Sequence, residues 1–200
     1  MLCAVGLATL PATPLDAQQS GNAALPSEYS VKAVFLYSFG RYIQWPPESL
    51  DATPDIFVIG ILGNDPFSGA LDLIAAKKTI QERKIVVRRF ASLEEYRAPC
   101  QILFVSGSLS EPERIAAIRQ ISGPGVLVVG ESPGFAEAGG GANFYIENDH
   151  VRFEINAAAA RRAGLHMDAQ LLNLGKPVLE KEPATNSQSQ KTRTSAKNNT

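Results

Sequence analysis

The 200-residue sequence predicts an α/β fold with three layers: a mostly parallel β-sheet flanked by helices on both faces, with a C-terminal antiparallel hairpin. Short apolar runs alternate with segments whose apolar residues recur at helical spacing, a pattern typical of strands joined by helices. Near the C-terminus, two runs with alternating apolar residues flank Asn148-Asp149. Both of these residues tolerate the positive φ that a two-residue hairpin turn needs.

The first predicted element is a helix that starts near Ser27 and ends before Trp45-Pro46-Pro47, because the residue before a proline avoids the α region. Its apolar residues cover a wide face that only Lys32 and Arg41 interrupt. We therefore expect the helix to pack on more than one side, inside the domain or at a subunit interface. A ligand pocket among its aromatic residues is the alternative to core packing.

Four buried strands and their connecting helices follow, with the strands predicted at 56–62, 85–87, 102–105 and 126–129. After the first strand, Gly63-Asn64-Asp65 predicts a turn and a helix cap, with Pro66 at the first helical position. A short helix at 92–96 precedes the third strand. Residues 110–113 form a capping-box pattern that begins the helix before the fourth strand.

The predicted hairpin has one apolar and one polar face, because its turn pairs Phe144 with Phe153 and Tyr145 with Arg152. Glu154 shares the polar face, where Arg152 can reach it. Two more arginines and a histidine follow, and guanidinium groups bind carboxylates through a planar fork. The candidate partner-binding residues are therefore Tyr145, Arg152, Glu154, Arg161, Arg162 and His166, with a salt-bridged surface as the alternative.

Two short helices are predicted after the hairpin. Asn156 caps the first, which runs over 157–163, and Gly164 ends it in the left-handed conformation. Asp168 begins the second, whose leucines pack in the core or, alternatively, form a docking edge for a partner. These leucines are Leu171, Leu172 and Leu174.

Composition argues against several classes of function. A formal charge of −1 argues against nucleic-acid partners, which need a concentrated basic surface. The one local basic cluster is either a rim for an acidic partner or a set of solvated side chains: Arg83, Lys84, Arg88 and Arg89. No nucleophile elbow, P-loop or metal-ligand spacing occurs, and the turn after the first strand lacks the full glycine fingerprint of nucleotide sites. We therefore predict no catalytic residue, no metal and no cofactor.

The first residues are typical of a secretory signal peptide, with an apolar run at 2–10 and cleavage expected after Ala17. No basic residue follows Met1, and a flexible, weakly apolar leader is the alternative. After cleavage the chain would keep Cys100 alone, and burial at a strand start is the simplest explanation for this thiol. The expected segments are a signal peptide at 1–17, a linker at 18–26, the α/β domain at 27–176 and a disordered tail at 177–200.

Six sequence phrases occur in an order that points to one family: EYSVKAVFLYSFGRYIQWP, IGILGNDPF, CQILFVS, GFAEAGGGANFYIE, VRFEINAAAARRAGL and QLLNLGK. Over about residues 28–176 the sequence resembles the YfiR family of periplasmic regulators. The resemblance implies a repressor that binds the periplasmic domain of an inner-membrane diguanylate cyclase or related sensor, which lowers cyclic di-GMP signalling and biofilm growth. It also implies release through an outer-membrane lipoprotein partner. Some relatives carry paired cysteines, which a mature chain with Cys100 alone cannot reproduce.

Two other classes of function remain open at this stage. One is a periplasmic small-molecule-binding sensor module, with a pocket at the carboxyl edge of the sheet near residues 63–65. The other is an enzyme whose site is assembled from distant residues. A homodimer formed through the aromatic first helix is compatible with either class and with the repressor.

Overall fold

The structure is a computed structural model that describes residues 27–181. The predicted signal peptide, the linker and the part of the tail after residue 181 lie outside the described residues. The helices are α1 (Glu28–Tyr42), α2 (Pro47–Asp51), α3 (Ala70–Lys77), α4 (Glu111–Ile121), α5 (Ala157–Arg162) and α6 (Ala169–Leu174), with a 3-10 turn at Leu93–Glu95. The strands are β1 (Ile43–Gln44), β2 (Ile56–Leu62), β3 (Thr79–Ile80), β4 (Arg83–Phe90), β5 (Ile102–Val105), β6 (Leu127–Gly130), β7 (Ala142–Glu147), β8 (His150–Ile155), β9 (His166–Met167) and β10 (Lys176–Pro177).

An eight-stranded sheet forms the centre of the domain, in the order β10-β8-β7-β6-β5-β2-β4-β3. Strands β4, β2, β5, β6 and β7 run parallel, whereas β8 is antiparallel to β7 and β3 is antiparallel to β4. A separate small sheet pairs β1 with β9. The predicted α/β class, with a mostly parallel sheet and a closing hairpin, is confirmed.

Two apolar clusters lie on opposite faces of this sheet, because successive side chains of a strand point to opposite sides. Phe57 and Ile59 of β2 belong to the larger cluster, with residues of α1, α3 and α6, whereas Val58 belongs to the smaller one. Helix α4 adds Ala117 and Ile118 to the smaller cluster. Helices therefore cover both faces, as the alternation of the sequence predicts.

Helix α1 is held on the sheet by a cluster of aromatic rings. The Phe39 ring lies 5.9 Å from that of Phe144, stacked on it, and 5.1 Å from that of Phe153, edge-on. Phe35 adds a second edge-on contact with Phe153, at 5.1 Å. Stacked and edge-on pairs of this kind stabilise a core beyond the apolar area they bury. The cluster joins the first helix of the domain to its closing hairpin.

The expectation that α1 packs on more than one side is only partly met. Val34 is 53% exposed and Tyr42 is 40% exposed, so one face of the helix meets solvent. Arg41 lies over two aromatic rings of this helix. Its guanidinium is 5.7 Å from the centre of the Tyr37 ring and 5.5 Å from the centre of the Tyr42 ring. Such cation–π contacts allow aromatic side chains to remain at a surface.

Helix α3 starts later than the sequence predicts. Asp65 accepts a hydrogen bond from the Phe67 amide at 2.8 Å, which closes a turn, and the helix begins only at Ala70. Ser68 and Gly69 adopt φ values of 49° and 85°, and left-handed residues cannot continue a right-handed helix. The proline therefore belongs to the turn and not to the first helical position.

The C-terminal part follows the prediction closely. Asn148 and Asp149 have positive φ, and the register pairs Phe144 with Phe153. The Asn156 side chain caps α5 by accepting from the Ala159 amide at 2.9 Å. Gly164, with φ 71°, follows α5 in the left-handed conformation, as expected.

The chain beyond α6 differs from the expected tail over its first residues. Strand β10 pairs in parallel with β8, and the Val178 and Lys181 amides donate to the carbonyls of Ile155 and Glu137, each at 2.9 Å. Gly175 permits this approach, because a Cβ atom there would lie 2.6 Å from Ile155 Cδ1.

Of the three leucines of α6 that were expected in the core, Leu171 is buried, whereas Leu172 and Leu174 are exposed.

Cys100 is buried immediately before β5, which confirms the prediction for this thiol. Burial raises the pKa of the Cys100 thiol to about 11, although the nearby Arg88 acts in the opposite direction. The thiol is therefore protonated at neutral pH, and only the thiolate is an effective nucleophile.

Replacing the central ring of the aromatic cluster tests this packing. We expect Phe39→Ala to lower the free energy of unfolding by about 3–5 kcal/mol, because a large buried ring leaves a cavity. We expect Val34→Ala, on the solvent face of the same helix, to change it by less than about 0.5 kcal/mol. Denaturant unfolding measures both values, and equal losses in the two variants would contradict the packing described.

Candidate functional site

A polar pocket of about 380 Å³ opens at the carboxyl end of the parallel strands, where β6 and β7 meet the start of α1. Its polar lining consists of Glu28, Lys32, Glu131, Asn143, Tyr145 and Glu154. Tyr145 and Glu154 are two of the six predicted partner-binding residues. We therefore treat this pocket and the adjoining polar face of the hairpin as the candidate site.

Lys32 is the central charge of the pocket. It is 3% exposed, and its Nζ atom donates to Glu131 Oε2 at 2.7 Å. Glu28, one helical turn before it, forms a second ion pair with the same ammonium group. The ammonium group also lies 4.4 Å from the centre of the Tyr29 ring. A buried charge needs such partners, since transfer from water without them is very costly.

Glu131 connects this lysine to the sheet. The residue directly follows β6, and its second carboxylate oxygen, Oε1, accepts from the Gly107 amide in the loop after β5, at 2.8 Å. One carboxylate therefore bridges helix α1 and two neighbouring strand ends. The arrangement fixes the first turn of α1 over the carboxyl edge of the sheet.

Two pKa shifts follow from these contacts. Burial lowers the pKa of Lys32, but its hydrogen bonds to Glu131 and Glu28, with their negative charges, outweigh burial and hold the pKa above its ordinary value. Lys32 is therefore charged at neutral pH. Burial, together with the negative charge of Glu131, raises the pKa of Tyr29, so this phenol keeps its proton.

Asn143 and Glu154 form a second polar group in the same pocket. They face each other across β7 and β8, and Asn143 Nδ2 donates to Glu154 Oε2 at 3.2 Å. Glu154 Oε1 lies 3.6 Å from Lys176 Nζ, and that ammonium group lies 5.5 Å from the centre of the Tyr145 ring. The expected pair between Arg152 and Glu154 does not occur among the ion pairs of residues 27–181.

The six predicted residues occupy three separate places. Tyr145, Arg152 and Glu154 lie together on the hairpin. Arg161 and Arg162 lie on α5, which follows β8 at the opposite, amino edge of the parallel strands, and Arg162 pairs there with Glu180 at 2.5 Å. His166 is exposed in the small sheet, opposite Gln44 of β1.

Sequence reasoning missed Lys32, Glu131 and Asn143 as members of the site. One signal was available, because Lys32 is a charged residue inside an otherwise apolar helix face, and a buried lysine requires an acidic partner. Its partner Glu131 is distant in sequence, and only the fold identifies it. Asn143 occupies a position of β7 where the alternation predicts no more than a polar side chain.

The carboxyl edge near residues 63–65, where a small-molecule pocket was the alternative expectation, is filled by the chain itself. The Asn64 amide donates to Ser108 Oγ at 3.0 Å. A Cβ atom on Gly63 would lie 2.9 Å from the same hydroxyl oxygen and 3.0 Å from Leu109 Cγ. The loops after β2 and β5 therefore pack against each other at this position.

The basic cluster on β4 is largely engaged within the chain. Arg89 pairs with Asp65 at 2.7 Å and with Asp72 at 2.6 Å, and Arg88 donates to the carbonyl of Pro99 at 3.2 Å. These contacts favour a structural role for the two arginines over a rim for an acidic partner.

In the range 27–181, no group of three or more His, Cys, Asp and Glu side chains is placed to hold a metal ion. None of the helices in that range has the length and apolar character that crossing a bilayer requires.

Comparison with known proteins places the chain in a family. A family model described as YfiR/HmsC-like matches residues 29–176. The chain belongs to the YfiR/HmsC-like family. At the level of the family, its members are regulators of cyclic di-GMP signalling and are regulatory, not catalytic.

Other comparisons add little to this assignment. The YfiR/HmsC-like chain is similar to a crystal structure of a conserved domain protein from Vibrio cholerae O1 biovar eltor str. N16961, with 15% sequence identity and a TM-score of 0.43. The similarity covers 66% of this chain and 57% of that one. No curated protein matches the sequence.

The ion pair in the pocket of this YfiR/HmsC-like protein can be tested by stability measurements. We expect Lys32→Met to lower the free energy of unfolding by about 3 kcal/mol, because it leaves the carboxylate of Glu131 buried without its cation. We expect the double variant Lys32→Met/Glu131→Gln to recover much of this loss.

Denaturant unfolding measures these free energies. Lys77→Met, at the exposed end of α3, is the matched control and is expected to change stability by less than about 0.5 kcal/mol. A double variant that is no more stable than Lys32→Met would show that Lys32 does not act through Glu131.

Proposed function

We propose that this protein is a periplasmic regulator that binds the periplasmic domain of an inner-membrane diguanylate cyclase, or of a related sensor, and represses it. The observation that supports this most is the family match over residues 29–176. The apolar run at 2–10, with its expected cleavage site, supports the periplasmic location. Lower cyclic di-GMP signalling would be the result of binding.

A repressor of this kind needs no catalytic group. It needs a higher affinity for the inactive state of the cyclase than for the active state, which shifts the population between them. To move such an equilibrium from 1:99 to 99:1, the difference in affinity must reach about 10⁴-fold, or about 5.5 kcal/mol. A protein interface of ordinary size, about 800 Å² on each partner, can supply this.

The hairpin is the surface that we propose for this contact. Arg152 is exposed on its polar face and makes no ion pair within residues 27–181, so its guanidinium is available to a carboxylate of a partner. Tyr145, which faces Arg152 across the strands, offers an aromatic side chain of the kind enriched in interfaces.

A small-molecule-binding sensor module is the second candidate function. The polar pocket of about 380 Å³ favours it, because ligand pockets typically measure about 300–1,000 Å³. The pocket lies beside the proposed protein-binding surface, so the two candidates share residues such as Tyr145 and Glu154.

Copurification with the periplasmic domain of a membrane-bound diguanylate cyclase or related sensor from the same organism tests the proposal. We expect the wild-type chain to bind at micromolar concentration, and Arg152→Glu to weaken the complex at least about tenfold, because it places a carboxylate against an acidic partner group. We expect Lys84→Glu, an equal change of charge on an exposed residue of β4, to bind like the wild type.

The outcomes separate the function from the surface. A wild-type chain that fails to bind would contradict the repressor function. Binding that Lys84→Glu weakens and Arg152→Glu does not would contradict the choice of the hairpin. Circular dichroism of each variant shows whether it remains folded.

A further inference from the structure

One buried acceptor in the polar pocket has no hydrogen-bond donor. Asn143 is 2% exposed, and its Oδ1 atom has no partner among the described residues. Buried polar atoms of folded proteins are nearly always paired, so an unpaired acceptor indicates that a water, an ion or a ligand group pairs with it, or that it has a functional role. The orientation of the amide follows from Glu154, because a carboxylate only accepts and therefore faces Nδ2.

The pocket that Asn143 lines carries excess negative charge. Three carboxylates line it, those of Glu28, Glu131 and Glu154, and Lys32 is the one cation in the lining. Two negative charges remain within the lining, and Lys176, which lies outside the lining and pairs with Glu154, offsets one of them. The first two carboxylates are engaged by Lys32. Glu154 accepts a hydrogen bond from Asn143, and its one ion-pair partner among the described residues is Lys176, at 3.6 Å, whose side chain is 61% exposed.

These features together select the chemistry of a ligand. The free acceptor of Asn143 requires a donor, and the excess charge requires a cation. A guanidinium group meets both requirements, because its planar fork of five N–H donors can reach an amide oxygen and a carboxylate at once. The Tyr145 ring, whose present neighbour is the Lys176 ammonium, offers a face on which a guanidinium can stack.

We propose that the pocket binds a guanidinium group, held by Asn143 Oδ1 and the Glu154 carboxylate. The group has two possible sources: an arginine side chain of the regulated partner, or a free guanidine compound. The first source rests on the proposed function, and the second does not. The pocket lies next to the proposed protein-binding hairpin, so an arginine of a docked partner would reach it from the same side.

A titration of the full ¹⁵N-labelled chain with methylguanidinium chloride tests the chemistry. The side-chain amide signals of Asn143 report directly on the proposed contact. We expect them to shift and to saturate at millimolar concentration, with weaker binding of methylammonium and none of N-methylurea, which lacks the charge. Sodium chloride at matched ionic strength is the reference.

Three variants separate binding from folding. We expect Glu154→Gln to weaken methylguanidinium binding at least about tenfold, whereas Glu147→Gln at the exposed hairpin tip binds as the wild type does. We expect Asn143→Leu to abolish binding with only a small change in melting temperature, because it removes an unpaired oxygen together with a single 3.2 Å hydrogen bond to Glu154. Absent shifts in the wild type, or equal affinity in Glu154→Gln, would overturn the proposal.

Competition with the partner identifies the source. If methylguanidinium and Glu154→Gln both weaken the complex with the sensor's periplasmic domain, the guanidinium is an arginine of that domain. If the complex is unaffected while methylguanidinium still binds, the ligand is a free guanidine compound. A wild-type chain that binds methylguanidinium but not the domain supports the pocket and contradicts the repressor function.

Discussion

The packing of Phe39 between Phe144 and Phe153 is the contact on which the candidate site depends. It holds the first helix of the domain against the two strands of the hairpin, which lie near the other end of the described chain. With the helix fixed there, its first turn extends over the end of β6, where Lys32 meets Glu131. The apolar packing of Phe39 on the hairpin therefore positions the ion pair between Lys32 and Glu131, which forms part of the polar pocket.

The position of the pocket distinguishes this domain from nucleotide-binding domains of similar topology. The parallel strands run in the order β4-β2-β5-β6-β7, which reverses between β2 and β5, and ligands of such sheets commonly bind at that point. Here the loops after β2 and β5 pack on each other through Asn64 and Ser108. The open polar space lies instead beside β7 and the hairpin, at a position suited to contact with another molecule.

Local patterns predicted most of the fold, because strands, caps and turns depend on neighbours in sequence. The hairpin register and the Asn156 cap are examples. The two-residue strands were not predicted, because so short a run shows no periodicity. Of the residues that line the pocket, the sequence indicated only Tyr145 and Glu154, as members of a partner-binding surface. The pairing of Lys32 with Glu131 is set by tertiary packing. The arginines of α5 were grouped with the hairpin by their closeness in sequence, although β8 carries them to the other edge of the sheet.

We propose that the hairpin and the first turn of α1 form the binding end of the molecule. Hydrogen–deuterium exchange of the chain, free and bound to the sensor's periplasmic domain, tests it most directly. The first amides of a helix lack intrahelical acceptors and exchange fast, so a bound partner slows them visibly. We predict slower exchange at residues 145–152 and in the first turn of α1, with β3 and β4 unchanged. Slower exchange confined to β3 and β4, or to α5 and α6, would contradict the account.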